Sequence, residues 1–147
     1  MGNFLKKIFG GNGPDARLKG KTVLVVDDGE VERKFLSGIL SKQGCRVLTA
    51  SEGEAGIRLA YAENPDLILL DFIMPGMNGN EVLQRLRDGE KTKNIPVVFL
   101  TGSDTPSHIV SCYDLGAECF LTKPISAGAL VNQLALTLQE PKPESTP

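Results

Sequence analysis

Five side chains of this sequence are spaced so that they can do chemistry together: Asp27, Asp28, Asp71, Thr101 and Lys123. Each stands at or just past the end of a short apolar run: TVLVV before Asp27, LILL before Asp71, VVFL before Thr101 and FLT before Lys123. Adjacent carboxylates such as Asp27 and Asp28 repel each other unless a cation lies between them. Hard oxygen donors suit Mg²⁺, which takes octahedral geometry at ~2.0–2.1 Å and keeps several waters. Asp71 precedes an apolar, Pro-containing loop and has no evident capping duty. Beside a metal, its carboxylate suits attack on phosphorus to form an acyl phosphate. The Lys123 ammonium and the Thr101 hydroxyl are the groups that would meet the phosphoryl oxygens, and Gly102 leaves room for them. We expect a cis bond between Lys123 and Pro124. Each residue alone has a plainer explanation: turn chemistry or a helix cap for the Asp pair, β-propensity for Thr101, a solvated surface charge for Lys123. Only their company singles them out.

The elements that must position them alternate regularly. Apolar runs of that length, bounded by polar or Gly/Pro punctuation, read as buried parallel strands. Strands are expected at about 21–27, 45–50, 66–71, 96–101 and 118–122. Between them fall helices. One runs from about Val31 to Gln43, with Val31, Phe35, Leu36, Ile39 and Leu40 at helical spacing and Gly44 as its stop. A second runs from a capping box at Ser51 and Glu54 to about Glu63, where Asn64-Pro65 breaks it. A third covers about 80–88 with Val82, Leu83 and Leu86 inward. A short fourth runs from Thr105-Pro106 to about Leu115. Ser126 caps a last helix carrying Leu130, Leu134 and Leu138. Five βα units with right-handed crossovers imply an α/β, doubly wound, five-stranded parallel sheet of flavodoxin-like order 2-1-3-4-5, with helices on both faces. In such a sheet ligands bind at the carboxyl ends of the strands, which is where the five residues fall. Neither GxGxxG after a strand nor GxxxxGK[ST] is present.

In these motifs the chain resembles the receiver domain of bacterial two-component response regulators. The residues that carry the resemblance are VLVVDD at 23–28, LILLDFIMPGMNG at 67–79, VVFLTG at 97–102 and FLTKP at 120–124. One alone is weak; all four in order are specific, and the similarity covers about residues 21–138. The resemblance implies that Asp71 is the phosphoacceptor. It implies that Asp28 ligates Mg²⁺ directly, Asp27 largely through water, and the Ile73 backbone carbonyl as a further ligand. It implies phosphoryl binding by Thr101 and Lys123, and a switch in which Phe120 turns inward as Thr101 is drawn toward the phosphate. The implied partners are a sensor histidine kinase or phosphotransfer protein and an output protein of unknown identity. Two departures matter. Ile73 stands where many members carry a polar residue that orients the hydrolytic water, so hydrolysis of the phosphorylated form is expected not to be fast. Phe120 stands in place of the frequent Tyr, so the switch works by packing alone.

Composition narrows the alternatives. A chain of 147 residues with 41% hydrophobic residues makes one domain with short tails. A formal charge of −2 gives no electrostatic footprint for nucleic acid. Cys45, Cys112 and Cys119 form neither a CxxC nor a paired set, which argues for reduced thiols in a cytoplasm and against zinc. His108, the single histidine, reads as a surface residue, and Met74 and Met77 as packing for the loop after Asp71.

The expected organisation is a flexible extension at 1–20, a receiver domain at 21–138 and a disordered tail at 139–147, too short to fold into an output domain. Within the extension, NFLKKIF puts Phe4, Leu5, Ile8 and Phe9 on one helical face and Lys6 and Lys7 on the other, ahead of a GGNGP breaker. It reads either as a frayed tail or as a docking peptide for a membrane surface or a partner groove. The leading function is a phosphorylation-controlled signalling module acting through protein–protein contacts. Two alternatives stand beside it: a scaffold or recruitment adaptor using residues 3–9, and an aspartyl-nucleophile phosphatase. The latter normally wants a catalytic acid where Ile73 stands.

Overall fold

Three short, β-branched- and leucine-rich runs, VLVV, LILL and VVFL, have no polar residue to show to solvent. They become the central strands of a sheet covered on both faces. A computed structural model of the chain describes residues 15–102, 113–114 and 116–139. Five parallel strands, β1 (Thr22–Val26), β2 (Arg46–Ala50), β3 (Leu67–Leu70), β4 (Val97–Thr101) and β5 (Cys119–Thr122), form one sheet in the order β2-β1-β3-β4-β5. The described helices are α1 (Glu30–Lys42), α2 (Gly53–Glu63), α3 (Gly79–Asp88) and α4 (Ala127–Gln139). This is the flavodoxin-like, doubly wound fold expected from the alternation.

The core lies in two layers. On one face, Ile57 and Ala60 of α2 and Val82, Leu83 and Leu86 of α3 pack on Leu24, Val26, Ile68, Leu70, Val97 and Phe99. On the other, Leu36 and Leu40 of α1 and Leu130, Leu134 and Ala135 of α4 pack on Val23, Val25, Leu67, Leu69, Val98 and Leu100. Successive strand residues thus feed opposite layers, as the period of two requires.

Element ends follow local chemistry. Gly44 takes φ +85 just past the C-cap of α1 and stops it. Asn64 caps α2 in the left-handed region at φ 47, its N–H bonding the Ala60 carbonyl. Ser126 Oγ accepts from the Ala129 N–H at the start of α4. Met74 is buried and Met77 packs against the core, as the sequence suggested.

One reading needs correction, and one helical face turns out only partly covered. The capping box at Ser51 and Glu54 does not form: the N-cap is Glu52, with no side-chain cap bond. The helix instead begins where Gly53 fits under Val82 and Met77, at a spot where a Cβ would lie only 2.7 Å from Val82 Cγ2. The Glu54 carboxylate turns away to Arg85, at 3.4 Å. In α1, Val31 and Phe35 share helical spacing with the core residues but are 79% and 50% exposed. The apolar stripe is wider than the sheet beneath it, and only Leu36 and Leu40 become buried.

The packed body also reaches further toward the N-terminus than residue 21. Leu18 is fully buried in the α1/α4 layer, and the Asp15 N–H donates to Gln43 Oε1 at 2.6 Å. The expected helix at 105–115, His108, Cys112 and residues 1–14 and 140–147 lie outside the described residues, apart from the helical pair Tyr113–Asp114.

Candidate functional site

Register alone brings the acids together. Val26 pairs with Leu70 across β1 and β3, and the Asp71 N–H donates to the Val26 carbonyl at 2.9 Å, so Asp27 and Asp71 leave neighbouring strands side by side. Thr101 pairs with Thr122 across β4 and β5, and the Lys123 N–H donates to the Thr101 carbonyl at 2.8 Å. Three strand spacings, about 14 Å, separate the β5 and β1 backbones. The Lys123 side chain and the acids meet within that gap: its Nζ lies 2.9 Å from Asp27 Oδ2 and 3.9 Å from Asp71 Oδ2.

Asp27, Asp28 and Asp71 each offer a carboxylate oxygen, all within 4.8 Å of one another. Asp27 and Asp71 are buried, while Asp28 is exposed at the rim. The donors are hard oxygens of high charge density, the set a small divalent cation prefers. The five residues singled out from the sequence therefore meet at one end of the sheet.

The surroundings fix their geometry. Asp27 Oδ1 accepts from the Gly29 N–H at 2.9 Å, and its carbonyl accepts from Arg33 Nη1 at 2.8 Å. Burial raises the pKa of Asp71. The Lys123 ammonium opposes the rise, the Asp27 charge adds to it, and bonds from the Thr101 hydroxyl and the Ile73 N–H lower it. The net direction is upward, as expected of a carboxylate desolvated beside a like charge. For Lys123, burial works downward. The hydrogen bond with Asp27 and the charges of Asp71, Asp27 and Glu32 outweigh it and hold the ammonium above its ordinary range.

Below the carboxylates is a floor of aromatic rings. Phe120 lies 6.4 Å from Phe72 and 5.9 Å from Phe99, and Phe72 lies 5.7 Å from Phe99, all tilted. Phe120 is half-buried against these rings, in the same structure in which Thr101 bonds Asp71. Gly79 seals the floor: a Cβ there would lie 2.6 Å from Phe99 Cε1 and 2.8 Å from Phe72 Cα. The Ile73 side chain is 58% exposed at the mouth.

Sequence reasoning missed three contributors. Arg33 was visible only as a helical cation; its bond to the Asp27 carbonyl depends on how α1 folds back. Glu32 acts on Lys123 from the same turn. Gly79 carried the one available signal, a glycine at the first position of an otherwise ordinary helix.

A parallel 2-1-3-4-5 sheet with three acids, a hydroxyl and an amine gathered at its carboxyl ends is chemically suited to a divalent cation and a phosphoryl group. Comparison with known proteins gives the family. The response regulator receiver domain family matches residues 23–135, and the chain belongs to it. The chain is 36% identical over 116 residues to Protein PilH of Pseudomonas aeruginosa, covering 79% of this chain and 96% of PilH. It is 41% identical over 103 residues to Response regulator PleD of Caulobacter vibrioides, covering 70% of this chain but 23% of PleD. Among solved structures, the chemotaxis protein CheY4 of Vibrio cholerae superposes with a TM-score of 0.77 at 30% identity, covering 80% of this chain and 98% of that one. The receiver domain of sensor histidine kinase PA1611 from P. aeruginosa, which has a magnesium ion coordinated in its active site cleft, gives a TM-score of 0.76 at 25% identity, covering 82% and 99%. As a receiver domain the chain is a phosphorylation-controlled signalling module rather than a metabolic enzyme. No described helix is long and apolar enough to cross a membrane.

Proposed function

We propose that Asp71 takes a phosphoryl group from a phosphorylated histidine of a sensor kinase or phosphotransfer protein in the cytoplasm, and that water later removes it. An Asp71 carboxylate oxygen forms a bond to phosphorus, the phosphorus–nitrogen bond breaks, and the imidazole leaves with the electron pair. The single observation that carries this reading is Lys123 Nζ, 2.9 Å from Asp27 and 3.9 Å from Asp71. One ammonium beside two buried acids is the charge arrangement that receipt of an anionic phosphoryl group would use.

Asp27, Asp28 and Asp71, with the Ile73 carbonyl, would hold Mg²⁺. When bound, that ion neutralises charge on the acids and on the phosphoryl oxygens. The acid cluster and the magnesium in the PA1611 receiver support the assignment. Lys123 and the Thr101 hydroxyl orient two phosphoryl oxygens. Asp71 gains a charge of roughly −1.5 to −2, and Thr101 leaves its bond with the carboxylate to follow that charge. Phe120 packs on the β4 side chain two residues before Thr101, so its ring answers that motion and alters the surface offered to an output protein.

Intact mass after treatment with acetyl phosphate and Mg²⁺ tests the assignment. The parent gains one phosphoryl group, and Asp71→Ala gains none. A phosphorylated Asp71→Ala protein, or a parent that stays unmodified whether or not Mg²⁺ is added, would overturn it. The exposed Ile73 leaves the attack line without a polar side chain, so Ile73→Asn or Ile73→Glu should change the lifetime of the acyl phosphate. An unchanged decay would remove that role. The same Ile73 leaves a small-molecule phosphatase without its second acid.

A further inference from the structure

A glutamate at the third position of a helix ordinarily reaches back to the N–H of the capping residue. Glu32 holds that position in α1, three residues after the N-cap Gly29. The duty is already filled: the Gly29 N–H donates to Asp27 Oδ1 at 2.9 Å. The charged neighbours of Glu32 are engaged as well. Glu30 pairs with Lys34 at 3.2 Å, and Arg33 Nη1 donates to the Asp27 carbonyl at 2.8 Å. Glu32 itself is half-buried, and among the described residues its carboxylate has no hydrogen bond and no ion pair. A carboxylate partly withdrawn from water without a partner is unfavourable, so a structural duty does not account for it.

Its stem lies beside the acid cluster. A Cβ at Gly29 would stand 3.3 Å from Glu32 Cγ and 3.3 Å from Asp27 Oδ1, so the two acids flank one bare backbone position. The other oxygen of Asp27 carries the Lys123 ammonium at 2.9 Å. Burial works against that ammonium; the bond with Asp27 and the charges of Asp71, Asp27 and Glu32 sustain it. Two of these three acids, Asp27 and Asp71, belong to the set that could hold a divalent cation. A divalent cation and an ammonium on the same carboxylates repel each other strongly in a partly buried site. Glu32 is the one of the three that stands outside the metal set.

We propose that Glu32 takes over the Lys123 ammonium when a divalent cation occupies Asp27 and Asp71. It is a positioning residue, acting through Lys123 and touching neither the cation nor a transferred group. The exchange keeps the ammonium at the mouth of the site, where the phosphoryl oxygens can recruit it. The inference rests on the metal site of the proposed function and deepens it: α1 supplies the alternative partner that lets Lys123 release Asp27.

Calorimetric titration of the full chain with Mg²⁺ tests this as a cycle of four proteins: the parent, Glu32→Gln, Lys123→Met and the two changes together. Glu32→Gln should weaken Mg²⁺ binding about fivefold in the parent, because the ammonium then keeps its hold on Asp27. In the Lys123→Met background the same change should cost less than about twofold. Glu32→Asp, which keeps the charge, should fall between the parent and Glu32→Gln. Glu30→Gln removes a charge of the same turn that Lys34 already meets, and should leave the affinity within about twofold. Equal weakening by Glu32→Gln in both backgrounds overturns the proposal, since Glu32 would then act on the cation merely as a nearby charge. So does Glu30→Gln matching Glu32→Gln, or Glu32→Gln binding Mg²⁺ as the parent does. A second readout needs no affinity. Saturating Mg²⁺ should strengthen nuclear Overhauser contacts between the Lys123 ε-protons and the Glu32 γ-protons, and unchanged contacts overturn the exchange. A parent that binds Mg²⁺ and is labelled at Asp71 by acetyl phosphate keeps the proposed function even where this coupling is absent; a parent that binds no Mg²⁺ overturns both.

Discussion

At the amino ends of the strands, Arg87 donates to the carbonyls of Lys93, Ile95 and Gly116, tying the approaches to β4 and β5 together. Nearby, Asp66 Oδ2 accepts from the Thr22 N–H at 2.8 Å, closing β1 against β3. At the carboxyl ends, Asp27, Asp28 and Asp71 crowd within 4.8 Å, and one ammonium reaches only two of them. The same side-chain chemistry serves opposite ends differently. At the foot, charge is spent on backbone groups that would otherwise lack partners. At the top, like charges are held together by the fold against their repulsion, which is the arrangement a cation or a phosphoryl group can relieve. Stability is concentrated at one end and responsiveness at the other.

Substitutions at the two ends should separate these properties. The largest effect is expected at Gly79→Ala, where a methyl group must displace Phe99 and the Phe72 backbone. Overpacking there should lower stability by about 3 kcal/mol and also remove the stabilisation that added Mg²⁺ gives, both read from thermal melts. If stability falls and the Mg²⁺ response survives, the floor under the acids does not position them.

Arg87→Ala should cost about 2 kcal/mol, since it leaves three carbonyls without their charged donor. Its Mg²⁺ affinity should stay within about twofold, because the two ends are too far apart to couple. A large affinity change would mean that the ends are not independent. Asp28→Asn should do the reverse. Asp28 is exposed and shares the cluster, so Mg²⁺ binding should weaken by about tenfold, or 1.4 kcal/mol, with little loss of stability in metal-free buffer. Titration followed by calorimetry checks this.

The smallest effect is expected at Cys45, at the foot. Burial, and then the Asp66 charge, raise its thiol pKa, so at a given alkaline pH less thiolate is present than in the unfolded chain. Its alkylation by iodoacetamide should be slower in the native protein than after unfolding. A folded pKa above the unfolded one also means that its contribution to stability is complete below the unfolded thiol pKa. That contribution declines as pH rises through the folded value.

The parts of the molecule legible in the sequence are those governed by short-range pattern. The runs VLVV, LILL and VVFL announce buried parallel strands because no polar residue interrupts them, and the residue following each run falls at a strand end. That is why Asp27, Asp71 and Thr101, and Lys123 after FLT, stand out together in the sequence. Val31 and Phe35 show where pattern stops: periodicity marks a helical face but not how much of it the sheet can cover. Ser51 and Glu54 had the spacing of a capping box, yet the close approach of Gly53 to Val82 and Met77 decided where α2 begins. That approach is a contact between residues some thirty positions apart, which local spacing does not contain.

The chain by itself determined which groups exist and on which strand ends they stand, because side-chain alternation and strand punctuation act over a few residues. Folding decided the rest. The β1–β3 register set Asp27 beside Asp71, and the approach of the Lys123 and Asp side chains from strands apart in the sheet closed the ion pairs. The absence of space at Gly79 fixed the ring floor beneath them. Such distances arise from the packing of segments far apart in sequence, and packing is a property of the whole volume rather than of any stretch of it.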